Sequence, residues 1–222
     1  MRHSFNVLKR HDLFFIAPNA LSLKFYQDNF PEAKYLFFDS NYFSSANAYS
    51  KLLISADFYQ SFINYTHALI LQPDSVVLRD ELDYWMASPF DYIGAPWAKA
   101  WEFVCPNLGS YFDGKKFFVT VGNGGLSLRR ISAVLSVLEE LKWLIHKYHE
   151  LVEDAFFSLA GHISSNFMTP NEIRAAQFSI ECEPRHYYAI TGRTPMGTHA
   201  WEKWDKPFWV DIFEAEGLSG LE

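Results

Sequence analysis

Apolar residues alternate along the chain between short unbroken runs and longer stretches with helical spacing. Leu13–Ala17 (LFFIA) is a short run stopped by Pro18 and reads as a strand. Tyr35–Phe38 (YLFF) reads as a second strand. His67–Leu71 (HALIL) reads as a third, apolar on both faces as a central parallel strand should be. Asp91–Ile93, ended by GAPW, and Gly124–Leu128, after a glycine-rich turn, complete the strands. Ser4–Arg10 reads as the end of a helix, Leu21–Asp28 as helical and Asp80–Trp85 as a short helix. Ala46–Ile63 reads as one long helix with Leu52, Leu53, Phe58, Tyr59 and Phe62 apolar. Ile131–Tyr148 is the clearest helix, with apolar residues recurring at threes and fours. Glu153–Ala160 opens another, its acidic pair where the helix dipole favours negative charge. Residues 98–118 show little periodicity. Two short helices and loop run from Pro170 to the end.

Strands alternating with helices predict an α/β fold with a mostly parallel central sheet flanked by helices. Ligands of such sheets sit outside the carboxyl ends of the strands, so chemistry is sought just after each apolar run. With 222 residues and no internal repeat or Gly/Ser linker, a single domain over 1–222 is expected.

Composition narrows the function classes. The net charge of −7 argues against a general nucleic-acid binder. The N-terminus has scattered charges and no apolar signal region, and no stretch approaches a membrane-spanning length. Two cysteines, Cys105 and Cys182, form no disulfide scaffold and point to a reducing compartment. The 18% aromatic content excludes disorder as the main state. Phe14, Phe15, Phe37 and Phe38 are expected in the core, while Tyr92, Trp97, Trp101, Tyr111 and Trp201 lie beside the segments with candidate chemistry.

Four segments carry that chemistry. In Gln72-Pro73-Asp74-Ser75, Asp74 is placed to hold a divalent cation, or simply to cap a turn. In Val121–Arg129, Asn123 stands among Gly122, Gly124 and Gly125, allowing backbone to approach a ligand, or forming a tight turn and bulge. In Glu153-Asp154, one carboxylate can cap the helix while the other serves as a general base, or both do dipole work alone. His199, between a small-residue turn and Trp201, can ligate a metal or meet a phosphate, or be an ordinary core or surface residue. Lys51 either meets a phosphate or snorkels from an apolar helix. His146 and His149 lack the His-Glu-x-x-His order and read as a solvated helix end.

Taken in order, FYQSFINYTHALILQPDSVVLRDELDYW, FDYIGAPW, VGNGGLSLRR, EDAFFS and GTHAWEKW resemble a GT-A-type glycosyltransferase. More narrowly, they resemble a bacterial glycosyltransferase family found among polysaccharide-building genes and long catalogued as a domain of unknown function. The resemblance spans roughly Leu13 to Trp204. It implies a GT-A-like, Rossmann-like fold with a donor-binding half over 1–95 and an acceptor-side half over 96–222. The chain opens inside what matches the first GT-A helix, so the first strand is expected to have no counterpart here. The resemblance implies Asp74 and His199 as ligands of Mn²⁺ or Mg²⁺, and Lys51, Gln72 and Asp74 as donor-binding residues. Gln72 stands where the first carboxylate of an Asp-x-Asp motif would be. It implies Asp154, with Glu153, as the catalytic base, and Trp97, Asn123, Gly124, Gly125 and Trp201 as the acceptor and sugar side.

The implied activity is inverting transfer of a sugar from a nucleotide-sugar to a glycan or lipid-linked glycan acceptor, in surface polysaccharide biosynthesis. The implied location is cytoplasmic, with peripheral contact at the inner membrane face as an option. A sugar- or nucleotide-binding protein without turnover is the alternative. A metal-dependent hydrolase or nucleotidyltransferase, drawing on Asp80, Glu81 and Asp83, ranks last.

Overall fold

The computed structural model describes residues 1–104, 114–147 and 151–218. Cys105, Tyr111, Tyr148, His149 and Glu150 lie outside the described residues. The first apolar runs form strands where predicted. After α1 (Arg2–Val7), β1 (Phe14–Pro18), α2 (Lys24–Asn29) and β2 (Lys34–Phe38) make a parallel unit with Phe14 opposite Lys34 and Pro18 opposite Phe38. Phe14, Phe15 and Phe38 are half-buried, but Phe37 is exposed rather than in the core. Strand alternation sends it to the outer face of β2.

The predicted long helix is two. α3 (Ala46–Leu53) ends at Ile54, and Ser55 caps α4 (Ala56–Gln60) by accepting a hydrogen bond from the Phe58 amide at 3.3 Å. An N-cap serine has extended backbone angles, which interrupt the first helix even though the apolar spacing continues. β3 (His67–Leu71) and the short β4 (Val76–Val77) follow, then α5 (Leu82–Met86).

Next come two long strands, β5 (Tyr92–Val104) and β6 (Lys116–Arg130). They take in the two ends of the stretch expected to be irregular, 98–104 and 116–118. β6 lies between β3 and β5 and is antiparallel to both, with His67 opposite Arg130, Tyr92 opposite Arg129 and Val104 opposite Lys116. The expected mostly parallel central sheet is therefore not what forms. Among the described residues, parallel pairing is confined to β1–β2 and one further pair. β5 and β6 pair with each other directly, in an antiparallel ladder. The β5–β6 register shifts around Gly94–Trp97, opposite the segment that holds Gly122–Gly125.

α6 (Ile131–Glu140) and α7 (Lys142–Lys147) replace the single predicted helix. α8 (Glu153–Ile163) begins at the acidic pair as expected. The C-terminal part comprises α9 (Glu172–Phe178), β7 (Ser179–Ile180), α10 (Pro184–Thr191), β8 (Gly197–Thr198) and α11 (Lys206–Ala215). β8 joins β4 and β7 in a small mixed sheet, antiparallel to β4 and parallel to β7.

Three apolar clusters hold these parts. The largest packs α3, α4, α6 and α8 through Leu52, Tyr59, Val134, Val137, Phe156 and Phe157. A second holds α10 and α11 through Ile180, Tyr187, Trp201, Phe208, Trp209 and Phe213. A third gathers around Trp85, Leu126, Phe178 and Met196. Each large side chain fully buried in them stabilises by roughly 1.5–3 kcal/mol. No helix among the described residues is long and apolar enough to cross a membrane.

Candidate functional site

The site gathers around two consecutive glycines of β6. A Cβ on Gly124 would collide with Glu153 Oε1, and a Cβ on Gly125 would collide with the His199 ring. Successive strand positions face opposite ways, so the acidic pair and the imidazole approach the same strand from its two sides. Only glycine at both positions lets them come this close.

On the Gly124 side, α8 starts at Glu153. The Glu153 amide donates to Ser50 Oγ of α3 at 2.5 Å, which fixes the helix end against the core. The Glu153 carboxylate accepts from Arg129 Nη2 at 2.7 Å. Arg129 is fully buried, donates to Tyr59 Oη at 2.8 Å and to Ser127 Oγ, and lies over the rings of Tyr92 and Phe157. Burial works against its charge, but Tyr59, Glu153 and Tyr92 outweigh that and raise its pKa. A buried cation needs such a partner. Glu153 is thus occupied in neutralising Arg129, and of the expected catalytic pair Asp154 is the one available for proton chemistry.

Asp154 is half-buried, and its Oδ1 accepts from the Ala155 amide at 2.7 Å. Burial, then the neighbouring charge of Glu153, pushes its pKa up to about 7, against the pull of that amide and of Arg129. A carboxylate with such a pKa is poised to take a proton near neutral pH.

On the Gly125 side, β7 and β8 run parallel, with Ile180 beside Thr198. The residues that follow, Glu181 and His199, therefore emerge side by side. His199 Nδ1 lies 2.6 Å from Glu181 Oε2, and its Nε2 lies 3.2 Å from Asp74 Oδ1. Glu181 is buried, while the Asp74 side chain is 55% exposed. Burial opposes charge on His199, but Glu181 and Asp74 together raise its pKa. The Asp74 turn is pinned to the same strand. The Gln72 amide donates to the Gly125 carbonyl at 2.9 Å, and Ser75 Oγ donates to that carbonyl at 3.1 Å.

Among the described residues, no group of three or more His, Cys, Asp or Glu side chains forms a metal cage. The pair His199 and Asp74 nonetheless fits a divalent cation that completes its shell with phosphate oxygens and water, as Mg²⁺ does. In the neutral tautomer that donates Nδ1–H to Glu181, Nε2 would offer a lone pair beside Asp74, the arrangement in which an outer carboxylate orients a metal-ligating histidine.

The remaining expected residues divide. Trp97 is half-buried, and its ring edge lies against Gly122, next to the Asp154 carbonyl. Asn123 is half-buried beside it, its carbonyl packed against Gly94. Trp101 is exposed and edge-on to Trp97. Tyr92 is fully buried against Arg129. Trp201 is buried too, packed on Phe213 in the C-terminal cluster, so it has no open face for a sugar. Lys51 is exposed on α3 and makes no ion pair among the described residues. Asp80 and Asp83 pair with Arg10, and Glu81 with Arg79 and Arg193, so they do not group with Asp74. His146 is exposed at the end of α7.

Two central residues had no local signal in the sequence. Glu181 sits in an unremarkable ECEP stretch, and Arg129 reads as the polar end of a strand. The one available hint for Arg129 was its place directly after the glycine-rich strand, in LSLRR.

Residues 32–199 match a family described as "Protein of unknown function (DUF5672)". No curated protein matches the chain. The matched segment contains Arg129, Asp154, Glu181, His199 and Asp74 together.

Proposed function

The chain belongs to the DUF5672 family of proteins of unknown function, and from the site this family segment encloses we propose that it is an inverting glycosyltransferase using a nucleotide-sugar donor. The observation that carries this reading is the pairing across Gly124–Gly125. A carboxylate with a pKa of about 7 stands on one side, and a histidine–carboxylate pair suited to a phosphate-bound cation stands on the other. The reading includes a GT-A-like relation among the strands, a glycan acceptor and a role in surface polysaccharide assembly at the cytoplasmic face.

Asp74 Oδ1 and His199 Nε2 would hold Mn²⁺ or Mg²⁺ beside the donor diphosphate. That cation, when bound, neutralises charge on the departing nucleotide. Glu181 keeps the His199 ring turned so that Nε2 faces the diphosphate. Asp154 takes the proton from an acceptor hydroxyl as its oxygen bonds to the anomeric carbon. The bond from that carbon to the diphosphate oxygen breaks on the opposite face. One displacement inverts the centre. Arg129 and Glu153 fix the start of α8 and so the place of Asp154.

The test is a screen of nucleotide-sugars with Mn²⁺, reading donor consumption, followed by Asp154→Asn. Loss of about 10²–10⁴ in rate is expected for removal of a general base. Undiminished transfer by Asp154→Asn would overturn the assignment. The single exposed carboxylate at Asp74, with Gln72 beside it, favours a second reading, binding without turnover. Calorimetric binding of a nucleotide-sugar with no donor consumed would select it.

A further inference from the structure

The two segments that carry Glu181 and His199 continue directly into the walls of an open groove of about 380 Å³. One wall is Glu183, Pro184, Arg185 and His186, at the start of α10. The other is Trp204 and Asp205. The groove is tied to the site from both ends. The Trp204 amide donates to the carbonyl of Ala200, the residue after His199, at 3.2 Å. Tyr187 Oη of α10 donates to the carbonyl of Trp97 at 3.2 Å, and the Trp97 ring reaches Gly122 beside Asp154.

Two features of the groove are unusual. Glu183, Ala200 and Asp205 are the non-glycine residues with left-handed backbone among the described residues, and all three lie in these two segments. Such strain concentrates at ligand sites. Arg185 is held flat by Asp205 through contacts of 2.7 and 3.2 Å. Glu183 and His186, by contrast, are exposed at the rim.

We propose that this groove is a subsite for a pyranose ring of the acceptor, seated against Trp204 with its hydroxyls met by Glu183 and His186 at the rim. An aromatic plane suits the apolar C–H face of a sugar, while a carboxylate and an imidazole at the rim suit its ring of hydroxyls. The volume falls in the range of small-molecule sites. Saccharide binding stands on the groove alone. Only its assignment to the acceptor rests on the glycosyl-transfer reading.

The experiment is saturation-transfer NMR of the full chain with methyl glycosides of glucose, galactose, mannose and N-acetylglucosamine. Binding of UDP with Mn²⁺ is followed in parallel by calorimetry. At least one glycoside is expected to take up saturation. Trp204→Ala should weaken it at least tenfold, and Glu183→Gln and His186→Ala severalfold, with UDP binding unchanged. The two rim variants, confirmed folded by circular dichroism, decide the matter if Trp204→Ala does not fold. Glycoside binding lost in these variants, in a chain that consumes no donor, upholds the groove and removes the transferase reading. Transfer activity with no glycoside bound, or variants that bind as the wild type does, overturns the groove and leaves that reading intact.

Discussion

Asp154 couples chemistry to stability through one proton. Its folded pKa of about 7 lies above the ordinary carboxylate value of 3.8, so folding favours the protonated form. That preference is fully present below about pH 4 and is lost as pH rises through about 7. Asp154→Asn should therefore be more stable than wild type at pH 8, by on the order of 2 kcal/mol, and equal to it near pH 4. Urea titrations at the two pH values check this. Activity should show the opposite slope, with kcat/KM climbing through pH 7 to a plateau as the base ionises. A second expectation concerns Gly125→Ala, whose new methyl would occupy the space of the His199 ring. UDP–Mn²⁺ binding by calorimetry should fall at least tenfold while the circular dichroism spectrum is kept. Asp74, Asp154, His199 and the glycines were legible in the sequence because each belongs to a short, ordered motif. Glu181 was not. Its role comes from the parallel pairing of β7 with β8, two strands of two residues each that leave no periodic trace.

At the level of elements, local pattern located the first strands and the start of α8 and missed what long-range pairing decides. Helix–strand alternation suggested a parallel sheet, but the register of β6 between β3 and β5 is antiparallel. Nothing within a short window of residues 98–118 reveals a partner strand, because the ladder there is stabilised across β5 and β6 rather than along either. Capping also overruled periodicity. The apolar spacing runs unbroken through Ala46–Ile63, while Ser55 starts a new helix. The seam between α8 and β6 rests on the Arg129–Glu153 pair. Arg129→Met should leave a buried carboxylate without its cation and destabilise by about 3–5 kcal/mol. Adding Glu153→Gln should recover part of that loss. The double variant compared with each single variant in urea unfolding measures the coupling.

Over the whole molecule, the candidate cation pair stands just after β3 and β8, with Glu181 after β7 behind it, while the base belongs to α8 and the largest core. Ligands that bind only this assembled state should raise its melting temperature. UDP with Mn²⁺ at a hundredfold excess over Kd adds about 2.7 kcal/mol. At roughly 2–4 °C per kcal/mol for a chain of this size, that is about 5–10 °C. Glu181→Ala should erase the part of the shift that depends on Mn²⁺, as read by thermal scanning with and without chelator.

The apolar cluster around Trp201, Phe208, Trp209 and Phe213 is separate from the one that holds Asp154. Separately packed regions open as separate cooperative units. In native-state hydrogen exchange, amides of α10 and α11 should therefore trade for deuterium together, at a lower opening free energy than those of α6 and α8. Each such opening would carry His199 away from Gly125 while leaving Asp154 in place. The protein would then pass through transient forms that keep a proton acceptor but have lost their grip on a phosphate. Substrate bound across the two units would close them as one, and merging of the two exchange rates would record its arrival.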